Sequence, residues 1–235
     1  MALVFAMTGE HSVSQNNSAF LEGIRQRLDI PILGVADIIQ EREQFSLLPR
    51  QVIAELPFAI VIGKRVSPTV LGTLEDGPNL IYFHHYRQLN VSLDQAAHKI
   101  ASEIEELGYK ALPIPASQIV DWEKYTGHVS HKRLAWLAGL GWWGRNNLLV
   151  TPKWGARVRL ASVLTNLPLS PVSPIDADCG SCQRCLSVCP AKAIKESRED
   201  FDYAACFSKL KEFRATRGIG QHICGLCVKC CLGRE

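Results

Sequence analysis

Cys179-Gly-Ser-Cys182-Gln-Arg-Cys185-Leu-Ser-Val-Cys189-Pro190 is the stretch on which the reading of this chain turns. Three cysteines separated by two residues make a tight loop that gathers three sulfurs around one centre, and Gly180 lets the loop bend closely. The fourth cysteine follows a longer gap and precedes a proline, so it falls on a new short segment that faces elsewhere. This is the spacing of [4Fe–4S] ligation in which the fourth cysteine reaches a second cube. Zinc is the competing ligand chemistry, but zinc sites ordinarily present paired CxxC units, not a triple loop followed by CxxxCP.

Downstream stand an isolated Cys206 and the run Cys224-x2-Cys227-x3-Cys231. The crossing rule of two-cluster bacterial ferredoxins assigns Cys179, Cys182, Cys185 and Cys231 to one cluster. Cys189, Cys206, Cys224 and Cys227 then hold the other. Cys230 is left over, although a Cys224-x2-Cys227-x2-Cys230 reading exchanges it with Cys231. All nine cysteines lie between 179 and 231. A disulfide framework would spread its bridges through the fold, so this clustering favours metal.

The chain has 235 residues, 47% hydrophobic and 21% charged, enough for a proper core. Its formal charge of +3 omits bound metal. Two four-iron cores with their thiolates cancel that charge, so the basic balance does not point to nucleic acid. The apolar run Ala2–Met7 is too short to span a membrane and has no basic flank before it. It reads as a strand, no membrane partner is expected, and the expected location is the cytoplasm.

The first 165 residues alternate β-like and amphipathic helical runs. Helices are expected over Ser18–Leu28, Ser46–Leu56, Ser92–Leu107 and His128–Leu137, and strands over Ile32–Val35, Phe58–Ile62 (closed by Gly63), Leu80–Phe83, Lys110–Ile114 and Val158–Thr165. Pro168, Pro171 and Pro174 mark a segment that cannot hold regular structure. The expected fold class is α+β. A mixed-sheet domain with flanking helices occupies 1–166, a Pro-rich linker 167–178, and a ferredoxin-like double-cluster domain 179–235.

Between these regions lies Ala-Gly-Leu-Gly-Trp-Trp-Gly-Arg-Asn-Asn, residues 138–147. Gly139, Gly141 and Gly144 bare the backbone where a bulky group can approach, and Trp142 and Trp143 offer broad apolar faces. Gly139, Gly141, Trp142, Gly144, Arg145 and Asn146 are therefore candidate cofactor-binding residues. A helix end followed by a tight turn with buried tryptophans is the plainer reading. The literal GxGxxG does not make a dinucleotide loop, because it follows a helix where that fingerprint requires a strand.

This motif, Leu148–Val150, Arg159–Leu169 and Cys179–Ile194, in that order, resemble the core of epoxyqueuosine reductases, relatives of the reductive dehalogenases. The resemblance spans about residues 120–231. It implies a nitroreductase-like, cobalamin-binding domain followed by a double-cluster ferredoxin domain. The nearer cluster would pass electrons to the cobalt of a base-off cobalamin, and the clusters would draw on a low-potential donor such as ferredoxin or flavodoxin. It also implies an acidic proton donor upstream of the AGLG motif, but counting back reaches Tyr125, with Asp121 a helical turn earlier. Tyr125, His128 and His131 are thus the catalytic candidates, the two histidines being expected on one helix face. Capping and surface packing are the plainer roles for these histidines, as packing is for His84, His85 and Tyr86. The chain ends four residues after Cys231, where the family carries a further region that helps hold tRNA, so tRNA does not carry over cleanly as a partner. A reductase is the leading expectation, and an electron-transfer protein docking on a partner or acceptor protein is the alternative.

Overall fold

The computed structural model describes residue 17, residues 19–123 and residues 125–234. The strand expected at Ala2–Met7 lies outside them. The described residues form a mixed α/β structure with an antiparallel-paired sheet, and they divide into two compact units. Of the described residues, the first takes those up to 64 together with those in 92–139 and 160–173; the second takes 65–91, 140–159 and 174–234. These units do not follow the linear division at 166 and 179.

In the first unit, helix α1 covers residues 19–27 and strand β1 runs Ile32–Asp37. Helix α2 is Arg50–Ala54, and strand β2 is Phe58–Arg65. Helix α3, Pro68–Gly72, belongs to the second unit, and helix α4, Leu80–Glu106, contributes to both. Strand β3 is Ala111–Ile114, and helix α5 is His131–Leu137. The short hairpin strands β4, Trp142–Trp143, and β5, Leu149–Val150, pair antiparallel. Strand β6 is Val158–Thr165.

The main sheet has the order β1-β2-β6-β3. β1 runs antiparallel to β2 with Val35 opposite Ile60, and β3 antiparallel to β6 with Ile114 opposite Ser162. The two inner strands are nearly continuous apolar runs, as strands covered on both faces must be. On α4, Leu93, Ala97, Ile100 and Ile104 recur at helical spacing and pack with Ile24, Ile60, Ile62 and Val163 into the first unit's core. Each fully buried isoleucine here contributes about 1.5–3 kcal/mol.

Several expected elements change at their ends. Leu80–Phe83 is no strand but the first turn of α4. The Asn79 side chain caps it by accepting the Tyr82 N–H at 2.9 Å. Tyr82 and Tyr86, four apart, then bury together in the second unit's core. The helix expected from Ser46 shrinks to α2 because Pro49 is its extended N-cap. The β2 strand continues through Gly63 to Arg65. α5 begins at His131, since the Ser130 hydroxyl caps it by accepting the Arg133 N–H. His128 therefore precedes the helix, and the two histidines share no helix face. Leu167 and Leu169 are buried in the first core, and Val172 N–H donates to the Val35 carbonyl. The proline-rich segment has no regular structure, yet its first half is packed down.

Beyond the cysteine loop come α6, Arg184–Ser187, α7, Tyr203–Thr216, and α8, Leu226–Cys230. Leu71, Leu74, Tyr82, Phe213, Ile219, Ile223 and Leu226 form the core of the second unit. Among the described residues no helix is long and apolar enough to cross a membrane.

Candidate metal centre

The β4–β5 hairpin and the cysteine segments meet within the second unit around one concavity. Cys179, Cys182, Cys185, Cys230 and Cys231 line it together with Trp142, Arg145 and Asn146. The loop's position is fixed by a residue of the glycine motif. The Arg145 guanidinium donates to the carbonyl oxygens of Cys182 at 2.9 Å and Gly180 at 2.7 Å, and also to that of Glu196. A planar fork with several fixed donors suits this task, because it satisfies loop carbonyls that no helix or strand would satisfy. Arg145 is thereby committed to the cysteine loop and is not left for a cofactor amide or phosphate.

The hairpin depends on close backbone approach. A Cβ on Gly141 would stand 2.2 Å from the Val150 carbonyl oxygen. Gly144 lies against Asn146 and Val150 in the same hairpin, and Gly139 ends the turn after α5, against the Ser173 carbonyl of the first unit. Trp142, Val150 and Ala156 form a small apolar cluster on which Cys179 and Cys231 pack.

Cys230 and Cys231 both face the concavity, but their sulfurs are engaged differently. Burial raises the Cys231 thiol overall, but its sulfur accepts the Ala156 backbone N–H at 3.3 Å and a second backbone hydrogen bond from Gly233, both of which favour the thiolate. Accepting backbone N–H groups is what a ligating thiolate does. The Cys230 thiol instead donates to the Cys227 carbonyl at 3.4 Å, inside its own helix.

The other four cysteines form a second group, in which Cys224 and Cys227 are the most buried. Burial pushes the Cys224 thiol up to about 11, with the neighbouring sulfurs of Cys206 and Cys189 adding to the effect. Cys227 is raised well above its ordinary value by burial and by Cys224 and Cys206. In the first group burial, then Cys230, Cys179 and Cys231, push Cys185 up to about 12. Cys182, exposed at the rim, is instead held low by hydrogen bonding from Arg184. Crowded thiols of this kind become thiolates together only beside strong positive charge. Arg145, Arg184 and Arg234 around the concavity supply part of it, and iron would supply the rest.

The donor set therefore fits [4Fe–4S] clusters: soft sulfur ligands, backbone donors and arginine charge. Among the described residues no three His, Cys, Asp or Glu side chains converge as ligands of a single ion. A cube makes a different demand, since each of its irons takes one cysteine.

Replacing Arg145 with alanine should release the first loop, at about 1 kcal/mol for each lost hydrogen bond. Iron content after desalting is expected to fall toward half that of the wild type, with the second site retained. An unchanged iron content would contradict the clamp.

The proton-transfer candidates lie in the first unit. Tyr125 sits at φ +54° in a tight loop closed by Asp121 and Thr126, whose backbones exchange hydrogen bonds. His128 follows, and its buried Nδ1 has no hydrogen-bond partner among the described residues. The His131 ring is a tie between elements: Nε2–H donates to the Pro115 carbonyl at 3.0 Å, and Nδ1 pairs with the Ser162 hydroxyl of β6 at 2.9 Å. In the second unit His84, His85 and Tyr86 lie on α4, where His85 Nε2 accepts the Ser67 N–H and burial lowers its pKa.

Sequence reasoning did not single out Arg184, Gly155, Gly233 or Arg234. Arg184 was visible between two cysteines of the loop; the others lie apart from any motif and become legible only when the chain end folds back.

No family model matches the chain. It is 32% identical to an epoxyqueuosine reductase of Bacillus anthracis over 114 residues, 45% of this chain and 30% of that protein. It is 32% identical to a tetrachloroethene reductive dehalogenase of Desulfitobacterium hafniense over 139 residues, 57% and 22% of the two chains. These matches span under half the length of either relative. Among solved structures, epoxyqueuosine reductase from Streptococcus thermophilus superposes with a TM-score of 0.62 at 17% identity, covering 92% of this chain and 65% of the other. A reductive dehalogenase whose structure suggests a mechanism for B12-dependent dehalogenation gives 0.65 at 20% identity, covering 86% and 29%. An epoxyqueuosine reductase with an epoxyqueuosine-modified tRNA stem loop gives 0.59 at 20%, covering 93% and 65%.

Proposed function

We propose that the chain, which is similar to epoxyqueuosine reductases and reductive dehalogenases over part of their length, is an iron–sulfur oxidoreductase. Eight cysteines hold two [4Fe–4S] clusters, which pass single electrons from a low-potential donor to an acceptor bound by the 1–166 region. The observation that carries this reading is the sulfur-lined concavity of Cys179, Cys182, Cys185 and Cys231, clamped by Arg145. Cys189, Cys206, Cys224 and Cys227 form the second ligand set, and the packing of α6, which carries Cys185, against α8, which carries Cys227, supports adjacent sites.

The clusters, when bound, supply one-electron chemistry at potentials set by hydrogen bonding and solvent exposure. The chain's own residues do the rest. The rim arginines offset the negative charge of the thiolates, and the apolar core around Tyr82, Ile223 and Leu226 keeps water from the second site. For proton supply to the reduced product, Tyr125 and His128 are the candidates, and both ring nitrogens of His131 are engaged.

The acceptor suggested by the B12-dependent neighbour is a corrinoid. Of the motif residues, Arg145 is engaged by the cysteine loop, while Trp142 and Asn146 line the sulfur concavity. No step is routed through it. The alternative reading is an electron-transfer protein for a partner enzyme, which the same two clusters would serve. Epoxyqueuosine-modified tRNA is the substrate class suggested by the other neighbour. Anaerobic gel filtration of cluster-loaded protein with cobalamin separates the two readings. Stoichiometric co-elution supports the reductase, and no retention moves the protein to the electron-transfer reading.

A further inference from the structure

Two buried hydrogen-bond donors stand without partners at the rim of the first cysteine group. Trp142 is 3% exposed and Asn146 5%, and Trp142 Nε1 and Asn146 Nδ2 have no acceptor among the described residues. The amide orientation of Asn146 is fixed independently, because its Oδ1 accepts the Leu148 N–H at 3.3 Å. The NH2 group is therefore the one left over. An unmade buried hydrogen bond costs about 1–3 kcal/mol, and folded proteins rarely leave two so close together.

Both side chains line the concavity of Cys179, Cys182, Cys185 and Cys231, and Trp142 packs in the same cluster as Cys179 and Cys231. The Arg234 guanidinium lies over the Trp142 ring, 5.1 Å from its centroid. A cation in that position draws electron density from the indole and makes its N–H a stronger donor.

We propose that Trp142 Nε1–H and Asn146 Nδ2–H donate hydrogen bonds to sulfur atoms of the cluster held by Cys179, Cys182, Cys185 and Cys231, and so set its reduction potential. This rests on the two-cluster reading. Reduction adds one electron to the core and no atom moves, so donors at sulfur stabilise the more negative, reduced state and raise the potential. They are positioning residues that act through the cluster. They also make the two sites unequal, with the donor-rich site as the better electron acceptor.

The test is an EPR-monitored redox titration of the anaerobic holoprotein. Trp142→Phe removes the N–H and keeps a large ring. One cluster midpoint is expected to fall by about a tenfold change in the reduction equilibrium, about 59 mV for a one-electron couple. Asn146→Leu should move the same midpoint in the same direction, and the other cluster should not move. Two unshifted midpoints in protein that retains both clusters would overturn the proposal, as would a shift confined to the other cluster. If Trp142→Phe does not assemble, Trp143→Phe protein labelled with 15N in the indole ring decides the matter. Pulsed EPR of its reduced cluster should resolve a 15N coupling, and absence of that coupling overturns the proposal. Wild-type protein that binds no iron would instead overturn the two-cluster reading itself, so the two failures are distinguishable.

Discussion

Cys231→Ser should leave the protein with one cluster, whereas Cys230→Ser should leave it with two. The two residues are adjacent and both face the concavity, so exposure does not separate them. Their hydrogen bonds do. Cys231 lies just past the end of α8 with extended backbone, and its sulfur accepts the Ala156 N–H. Cys230 is the last helical residue, and its thiol donates back to the Cys227 carbonyl. A serine hydroxyl at 230 can make that same bond, while a serine oxygen at 231 is a harder and poorer iron ligand than thiolate. Iron and acid-labile sulfide should both fall to about half in Cys231→Ser and stay near wild type in Cys230→Ser. The reverse pattern would exchange the two assignments.

A second large effect is expected where no cysteine is changed. Gly155 sits at φ +61° under the end of the chain, and a Cβ there would lie 2.3 Å from the Cys231 carbonyl oxygen and 2.5 Å from the Gly233 nitrogen. Both neighbours are backbone and cannot swing aside, so Gly155→Ala must push the 231–233 segment off the turn. That removes the Cys231 sulfur from the Ala156 N–H and from its place in the concavity. The variant should carry about four irons instead of about eight and resemble Cys231→Ser spectroscopically. Gly108→Ala is a matched control: its φ is +84°, which carries similar backbone strain, but no atom lies within 4 Å of the added methyl. Equal iron loss in both variants would show that general destabilisation is responsible, not displacement of Cys231.

The cysteine region leaves the plainest trace in the sequence, because the proposed cluster ligation would impose short local spacings. β2 was legible for a similar reason, its apolar run Phe58–Ile62 being interpretable without context. The start of α4 was not. Leu80-Ile-Tyr-Phe has strand-like composition, and only the capping bond from Asn79 and the packing of Tyr82 and Tyr86 make it helical. The separation of His128 from His131 likewise turned on one hydroxyl, that of Ser130. Arg145 was noticed in its motif but given a cofactor as its partner. Its actual partners at 180, 182 and 196 are distant in sequence and are backbone carbonyls, which no residue pattern announces.

Eight cysteines are proposed to hold two four-iron clusters. The most direct test of this assignment is metal and sulfide analysis of anaerobically purified protein, with EPR after reduction. About eight irons and eight acid-labile sulfides per chain are predicted, with signals from two reduced clusters. Stoichiometric zinc with neither iron nor labile sulfide would contradict the assignment.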